Sequence, residues 1–202
     1  MNRRPVDEES EDGELVSAFR SGDPDAFGVL VRRHQKTMLN VALRMLGSYE
    51  EACEVVQDAF LAAHKGLPQF REEARFSTWL TAITLNQARN RLASLASRRR
   101  HEAFSLDAPI AAEHGEVRAE PPSGAPSALA DLEAQALRKQ VEACILALPP
   151  DFREVLVLRD LQDRSYLEIG AVLNVREGTV KSRLARAREG VKACLERALG
   201  AA

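Results

Sequence analysis

Between Asp107 and Ser127 the sequence carries four prolines, Pro109, Pro121, Pro122 and Pro126, and no periodic apolar residues. Such a stretch buries too little to offset the entropy of ordering it, so it reads as a flexible linker. The 202-residue chain is therefore expected to form two small units rather than one large one.

Both flanks read as helical. Charged residues make up 29% of the chain and aromatic residues only 5%, and the runs rich in Ala, Leu, Arg and Glu favour helix over sheet. The predicted fold class is all-α, two small helical domains. In the first, Leu15, Val16 and Phe19 mark a short element before Gly22. Asp23-Pro24 then opens a helix whose stripe is Phe27, Leu30, Val31, His34, Met38, Val41, Ala42 and Met45, stopped by Gly47. Ser48 and Glu51 form a capping-box pattern for a second helix carrying Ala52, Val55, Val56, Ala59 and Phe60 inward. A third runs from Phe76 to about Ser97, after a loop over 67–75. Beyond the linker, helix is predicted over Ala128 to Leu148, broken by Pro149-Pro150. Ser165 caps a short helix, Asn174 to Arg176 turn the chain, and a further helix starts at Glu177. That last spacing is helix-turn-helix, with Ile169, Val175, Val180 and Leu184 at the seam and Lys181, Ser182, Ala185 and Arg186 away from it.

The formal net charge of −2 hides a segregation of sign. Asp7, Glu8, Glu9, Glu11, Asp12 and Glu14 crowd the N-terminus, whereas Arg98, Arg99 and Arg100 form a basic run and Arg176 to Arg188 is a basic stretch suited to phosphates. Three cysteines, Cys53, Cys144 and Cys194, lie far apart with no Cys-x-x-Cys pair and no His at a zinc spacing, which reads as reduced thiols and no metal site. No segment approaches the roughly 20 apolar residues of a membrane span, and the first residues lack a signal core, so the expectation is a cytoplasmic chain without membrane insertion. Walker, His-Glu-x-x-His and Gly-x-Ser-x-Gly patterns are missing, and no His has a partner at productive spacing. The chain is expected to be no enzyme and to need no cofactor.

Glu51-Ala52-Cys53-Glu54-Val55-Val56-Gln57-Asp58-Ala59-Phe60-Leu61, then Phe70-Arg71 with Phe76-Ser77-Thr78-Trp79-Leu80, then Ser165 to Glu189, together resemble the extracytoplasmic-function (ECF) sigma factors of the sigma-70 family. Order and spacing match as well. The resemblance implies residues 1–13 as an acidic, disordered tail, 14–100 as sigma region 2, 101–128 as the linker and 129–202 as sigma region 4. It implies that core RNA polymerase docks on Glu51, Glu54, Gln57 and Asp58, whose charge suits a basic surface. Cys53 departs from the acidic residue more common there. It implies that an unstacked minus-ten base is captured by the loop over 70–75, including Phe70 and Arg71, with Phe76, Trp79, Asn86 and Arg89 contacting the strand. For Phe76 and Trp79 core packing competes with that role, since both sit on an apolar stripe; Asn86 is the stronger candidate. Arg91 and Arg98 to Arg100 are expected on phosphates. On the minus-thirty-five duplex, Lys181, Ser182 and Arg186 would read, and Arg176 and Arg183 would hold phosphates, with Ala185 limited to a thymine methyl. The implied partners are core RNA polymerase, promoter DNA and an anti-sigma factor. A helix-turn-helix regulator binding a palindrome without polymerase is the competing reading, but it leaves the acidic helix and the Phe70 to Leu80 block without a role.

Overall fold

The computed structural model describes residues 10–104 and 128–200, apart from the side chains of residues 101–104, 128–131 and 133. The acidic tail up to residue 9 and the linker over 105–127 lie outside those residues. Among the described residues all regular structure is helical: α1 (Asp12–Arg20), α2 (Asp25–Leu46), α3 (Tyr49–Gly66), a 3-10 turn (Leu67–Gln69), α4 (Phe76–Phe104), α5 (Ala128–Leu146), α6 (Pro150–Leu156) continuing through a π-helical turn (Val157–Leu161), α7 (Tyr166–Leu173) and α8 (Glu177–Gly200).

The capping chemistry follows the sequence closely. Asp23 Oδ1 accepts the Asp25 amide at 3.0 Å, and α2 ends at Gly47 in the left-handed region at φ +77°. Ser48 accepts the Glu51 amide at 3.3 Å, but only this half of the expected box is used in that way, because the Glu51 carboxylate is drawn to Arg91 on α4. The acidic N-terminus is partly structural. Asp12 receives Arg33 at 2.7 Å and His34 at 2.9 Å, so the histidine on the apolar stripe is a bonded boundary residue. Burial raises the Asp12 pKa, yet the bonds from His34 and Arg33 outweigh it and leave the carboxyl below its ordinary value. α4 runs past Ser97 through Phe104, as its Ala-, Leu- and Arg-rich sequence without Gly or Pro allows.

α2, α3 and α4 pack against one another around Leu30, Met38, Met45, Val55, Leu80 and Leu85, with α1 laid on α2 through Leu15 and Val16. In the second unit α8 packs on α5, α6 and α7 through Val180, Leu184 and Ala187. Cys144 on α5 and Cys194 on α8 form a disulfide, leaving Cys53 free, where all three were expected as thiols. Fifty residues separate the pair along the chain, so spacing could not reveal that two helices place them side by side.

The two units share one apolar core instead of standing apart. Leu146 at the end of α5 lies so close to Gly47 that a Cβ there would come within 2.7 Å of it. Arg44 pairs with Glu142 across the same boundary at 2.5 Å. Arg153, buried on α6, donates to the Leu148 carbonyl at 2.9 Å and also to the carbonyls of Leu146 and of Met45, so it serves the ends of α5 and α2 at once.

The turn between α7 and α8 depends on two backbone details. Asn174 adopts the left-handed region at φ 53°, and the Val175 amide donates to the Gly170 carbonyl at 3.0 Å. That closure brings the Val175 carbonyl oxygen to 2.8 Å from where a Gly170 Cβ would stand. Gly170→Ala is expected to destabilise the second unit by about 1–3 kcal/mol, read as a lower urea midpoint at unchanged slope.

Candidate nucleic-acid interface

Ser165 and Glu168 cap α7 reciprocally: the serine hydroxyl accepts the Glu168 amide at 3.2 Å, and the Glu168 carboxylate accepts the Ser165 amide at 2.9 Å. The Ser165 backbone bond, then its hydroxyl, holds the Glu168 carboxyl below its usual value. So anchored, α7 supports α8 through Ile169 and Val172, and α8 turns its other side to solvent. Lys181, Ser182, Ala185 and Arg186 are exposed there, as is Arg176 at the turn. The Lys181 ammonium sits 5.7 Å from the centre of the Tyr166 ring at the start of α7. The Ser182 hydroxyl donates to the Thr179 carbonyl at 3.0 Å. Arg183 is placed differently from its expected phosphate role, since Asp151 binds its guanidinium at 2.7 Å. Arg188 is likewise engaged by Asp160 at 2.6 Å.

In the first unit the acidic positions of α3 split into two kinds. Glu54, Gln57 and Asp58 are exposed, whereas Glu51 is partly buried and tied to Arg91. Arg91 also reaches Glu54 at 2.7 Å, so the residue expected on phosphates instead spans α4 and α3. The Glu51 bond first, and the surrounding carboxylates after it, raise the guanidinium's pKa above its ordinary value. Alongside the exposed row, α2 and α3 enclose an apolar groove of about 610 Å³, floored by Val31, Leu39, Val56 and Phe60 and bordered by Gln57 and Leu61. Leu61 is 52% exposed at its edge.

The residues expected at an unstacked base form a ring cluster. Phe70 stacks on Trp79 with centroids 4.7 Å apart, and Phe76 tilts against Trp79 at 5.9 Å. Phe76 is 3% exposed and so belongs to the core, while Trp79 is half-buried and Arg71 is exposed beside it. Asn86 is exposed further along α4, its amide oxygen accepting Arg89 at 2.6 Å. Arg89 turns toward the second unit, where Glu154 accepts its guanidinium at 2.5 and 2.7 Å. Sequence reasoning passed over Glu154, Arg153 and Arg164. The signal for Glu154 lay in its setting, a carboxylate inside the apolar run Phe152 to Leu158 that has to meet a cation if buried.

Among the described residues no group of acidic, His and Cys side chains is arranged to hold a metal ion, and no helix is long and apolar enough to cross a membrane. Family models for sigma-70 region 2 and sigma-70 region 4 match residues 30–99 and 138–189. The RNA polymerase sigma-H factor of Pseudomonas aeruginosa is 34% identical over 195 residues, covering 93% of this chain and 95% of that protein. The ECF RNA polymerase sigma-E factor of Escherichia coli K12 is 36% identical over 190 residues, with 92% and 95% covered. Among solved structures, CnrH in complex with the cytosolic domain of CnrY superposes with a TM-score of 0.62 at 28% identity, over 93% of this chain and 99% of that one. The Bartonella quintana sigma factor RpoE, in complex with the anti-sigma factor NepR, shares the fold with a TM-score of 0.60 at 20% identity, over 84% and 96%. With both regions matched in order and relatives of this identity aligned along nearly its whole length, the chain belongs to the ECF sigma factors of the sigma-70 family.

Proposed function

We propose that this chain acts in the cytoplasm as an alternative sigma factor that docks on core RNA polymerase, opens and reads the minus-ten element, and recognises the minus-thirty-five element as duplex. The observation that carries this reading is the pairing on one chain of two surfaces of opposite character. α3 presents the carboxylates of Glu54 and Asp58, with Gln57 between them, beside an apolar groove, and α8 with the turn before it presents the cations Arg176, Lys181 and Arg186 around the Ser182 hydroxyl. A basic polymerase surface suits the first, and the second suits a major groove and its phosphates. Glu51 contributes through Arg91, which fixes the register of α3 on α4.

The units divide the work as 14–100 for core and minus-ten binding and 129–202 for minus-thirty-five binding. In the first, Asn86 offers an exposed amide to a base edge. Trp79, stacked on Phe70, offers a partly exposed ring beside Arg71, and Phe76 supports it from the core. Arg89 meets the strand backbone once released from Glu154. On α8, Lys181 and Arg186 contact bases and phosphates while Arg176 holds the backbone. Arg183 joins them only if Asp151 gives it up. An anti-sigma factor is the further partner we propose, its binding surface the apolar groove between α2 and α3.

Reconstitution tests this directly. Purified protein mixed with core polymerase is expected to form a holoenzyme that initiates at promoters selected from a random library; failure to bind core in a pull-down would sink the reading. Single substitutions should then separate the two steps. Asn86→Ala is expected to reduce promoter opening, read by permanganate reactivity of unpaired thymines, by about tenfold with closed-complex affinity unchanged. Lys181→Ala should weaken closed-complex binding by a similar factor and flatten its salt dependence by about one ion. Equal effects of both on the same step would contradict the division.

A further inference from the structure

The loop over 70–75 is anchored at its entry and at its middle. At the entry, Phe70 is buried and stacked on Trp79, and its amide donates to the Leu67 carbonyl at 3.2 Å to close the 3-10 turn. The same carbonyl accepts Nε of Arg20, the last residue of α1, at 3.3 Å. Nη1 of that guanidinium donates to Glu72 Oε1 at 2.5 Å. Arg71, exposed, therefore stands between two held neighbours. Glu72 needs its tie: its φ of 57° lies in the left-handed region, against which a residue with a Cβ is biased by roughly tenfold. Asn174 occupies the same region but is of a type that tolerates it, and glutamate is not. An exposed ion pair acting alone contributes little. Here the bond to the Leu67 carbonyl places the guanidinium in advance, so less freedom is lost when Glu72 meets it.

We propose that Arg20 is a positioning residue for capture of the minus-ten base: from the end of α1 it bridges Leu67 and Glu72, holds Glu72 in its left-handed conformation, and so presets the loop that displays Arg71. The inference rests on the reading in which the loop over 70–75 takes up an unstacked base. Arg20 itself need not touch DNA. Its effect is on the fraction of molecules whose loop is already in the binding conformation, and apparent strand affinity falls in proportion to that fraction. The guanidinium suits this task because its fork gives one nitrogen to the backbone carbonyl and another to the carboxylate, which a single ammonium on a flexible stem does less well.

The test uses holoenzyme reconstituted from core polymerase and the full chain carrying Arg20→Ala, Glu72→Ala, both, or Glu72→Gly. Two readouts apply to each: permanganate reactivity at a promoter selected with the parent protein, and anisotropy of a fluorescein-labelled single strand bearing that promoter's minus-ten sequence. Arg20→Ala and Glu72→Ala are each expected to lower opening and strand affinity by about tenfold, with closed-complex affinity unchanged. The double variant should be no worse than either single one, since both remove the same tie. Glu72→Gly should lose only about twofold, because glycine takes the left-handed region about as readily as the right-handed one. Equal losses for alanine and glycine would make the Glu72 carboxylate a direct DNA contact, and additive losses would give Arg20 a separate one; either result overturns the inference. Should Arg20→Ala lose its helical circular dichroism, the comparison of alanine with glycine at the exposed Glu72 decides alone. Benzoyl-phenylalanine placed at Arg71 separates this inference from the reading beneath it. A crosslink to the minus-ten strand, with opening by Arg20→Ala unchanged, overturns the positioning role alone, whereas no crosslink removes the loop assignment and the inference with it.

Discussion

Two adjacent charged residues on the seven-residue helix α6 hold the molecule in its observed form. Arg153 and Glu154 point from the second unit into the first, and both are buried. A charge removed from water is tolerable only when its bonds are replaced. Burial lowers the pKa of Arg153, with Glu154 pulling it back; the carbonyls of Met45, Leu146 and Leu148 accept hydrogen bonds from its two terminal nitrogens, while its buried Nε has no partner among the described residues. Glu154 is answered by Arg89 in a two-bond fork. Neither residue could hold its place if the units separated without water, or another partner, taking over those bonds.

This arrangement ties the chemistry of the two units together. The arginine that satisfies Glu154 also bonds the Asn86 amide oxygen, so the state of the interface sets how that amide is held on α4. At the opposite side of α4, Arg91 gathers Glu51 and Glu54 and thereby settles how much of the acidic row on α3 remains outward. α4 thus stands between α3 and the second unit, with an arginine directed to each. The basic face of α8 lies clear of this junction. Among the described residues its exposed Lys181 and Arg186 have no carboxylate partner, while Arg183 and Arg188 are held back on Asp151 and Asp160.

Helix positions, caps and the helix-turn-helix were legible in the sequence because each has a local cause: Ser165 with Glu168, Asn174 at the turn, Gly47 at the end of α2. The exposed residues of α8 were legible from helical periodicity, whereas those of α3 were picked out by the family resemblance. What was not legible depends on distant parts of the chain meeting. Cys144 and Cys194 needed α5 and α8 side by side, Arg91 needed α3 against α4, and Arg89 needed a carboxylate from the other unit. The Pro-rich stretch argued for separate units, and it says nothing about whether their surfaces attract. Buried charge in an apolar run was the one local sign of that attraction, at Glu154.

In the function we propose, α4 and α8 read different parts of one promoter in different strand states. Photo-crosslinking from benzoyl-phenylalanine placed at Asn86 and, in a second protein, at Ser182 tests it within the open holoenzyme complex. Crosslinks are expected from Asn86 to one strand of the melted minus-ten element and from Ser182 to duplex at the minus-thirty-five element. Crosslinks from both positions to the same element, or from Asn86 to duplex alone, would contradict it.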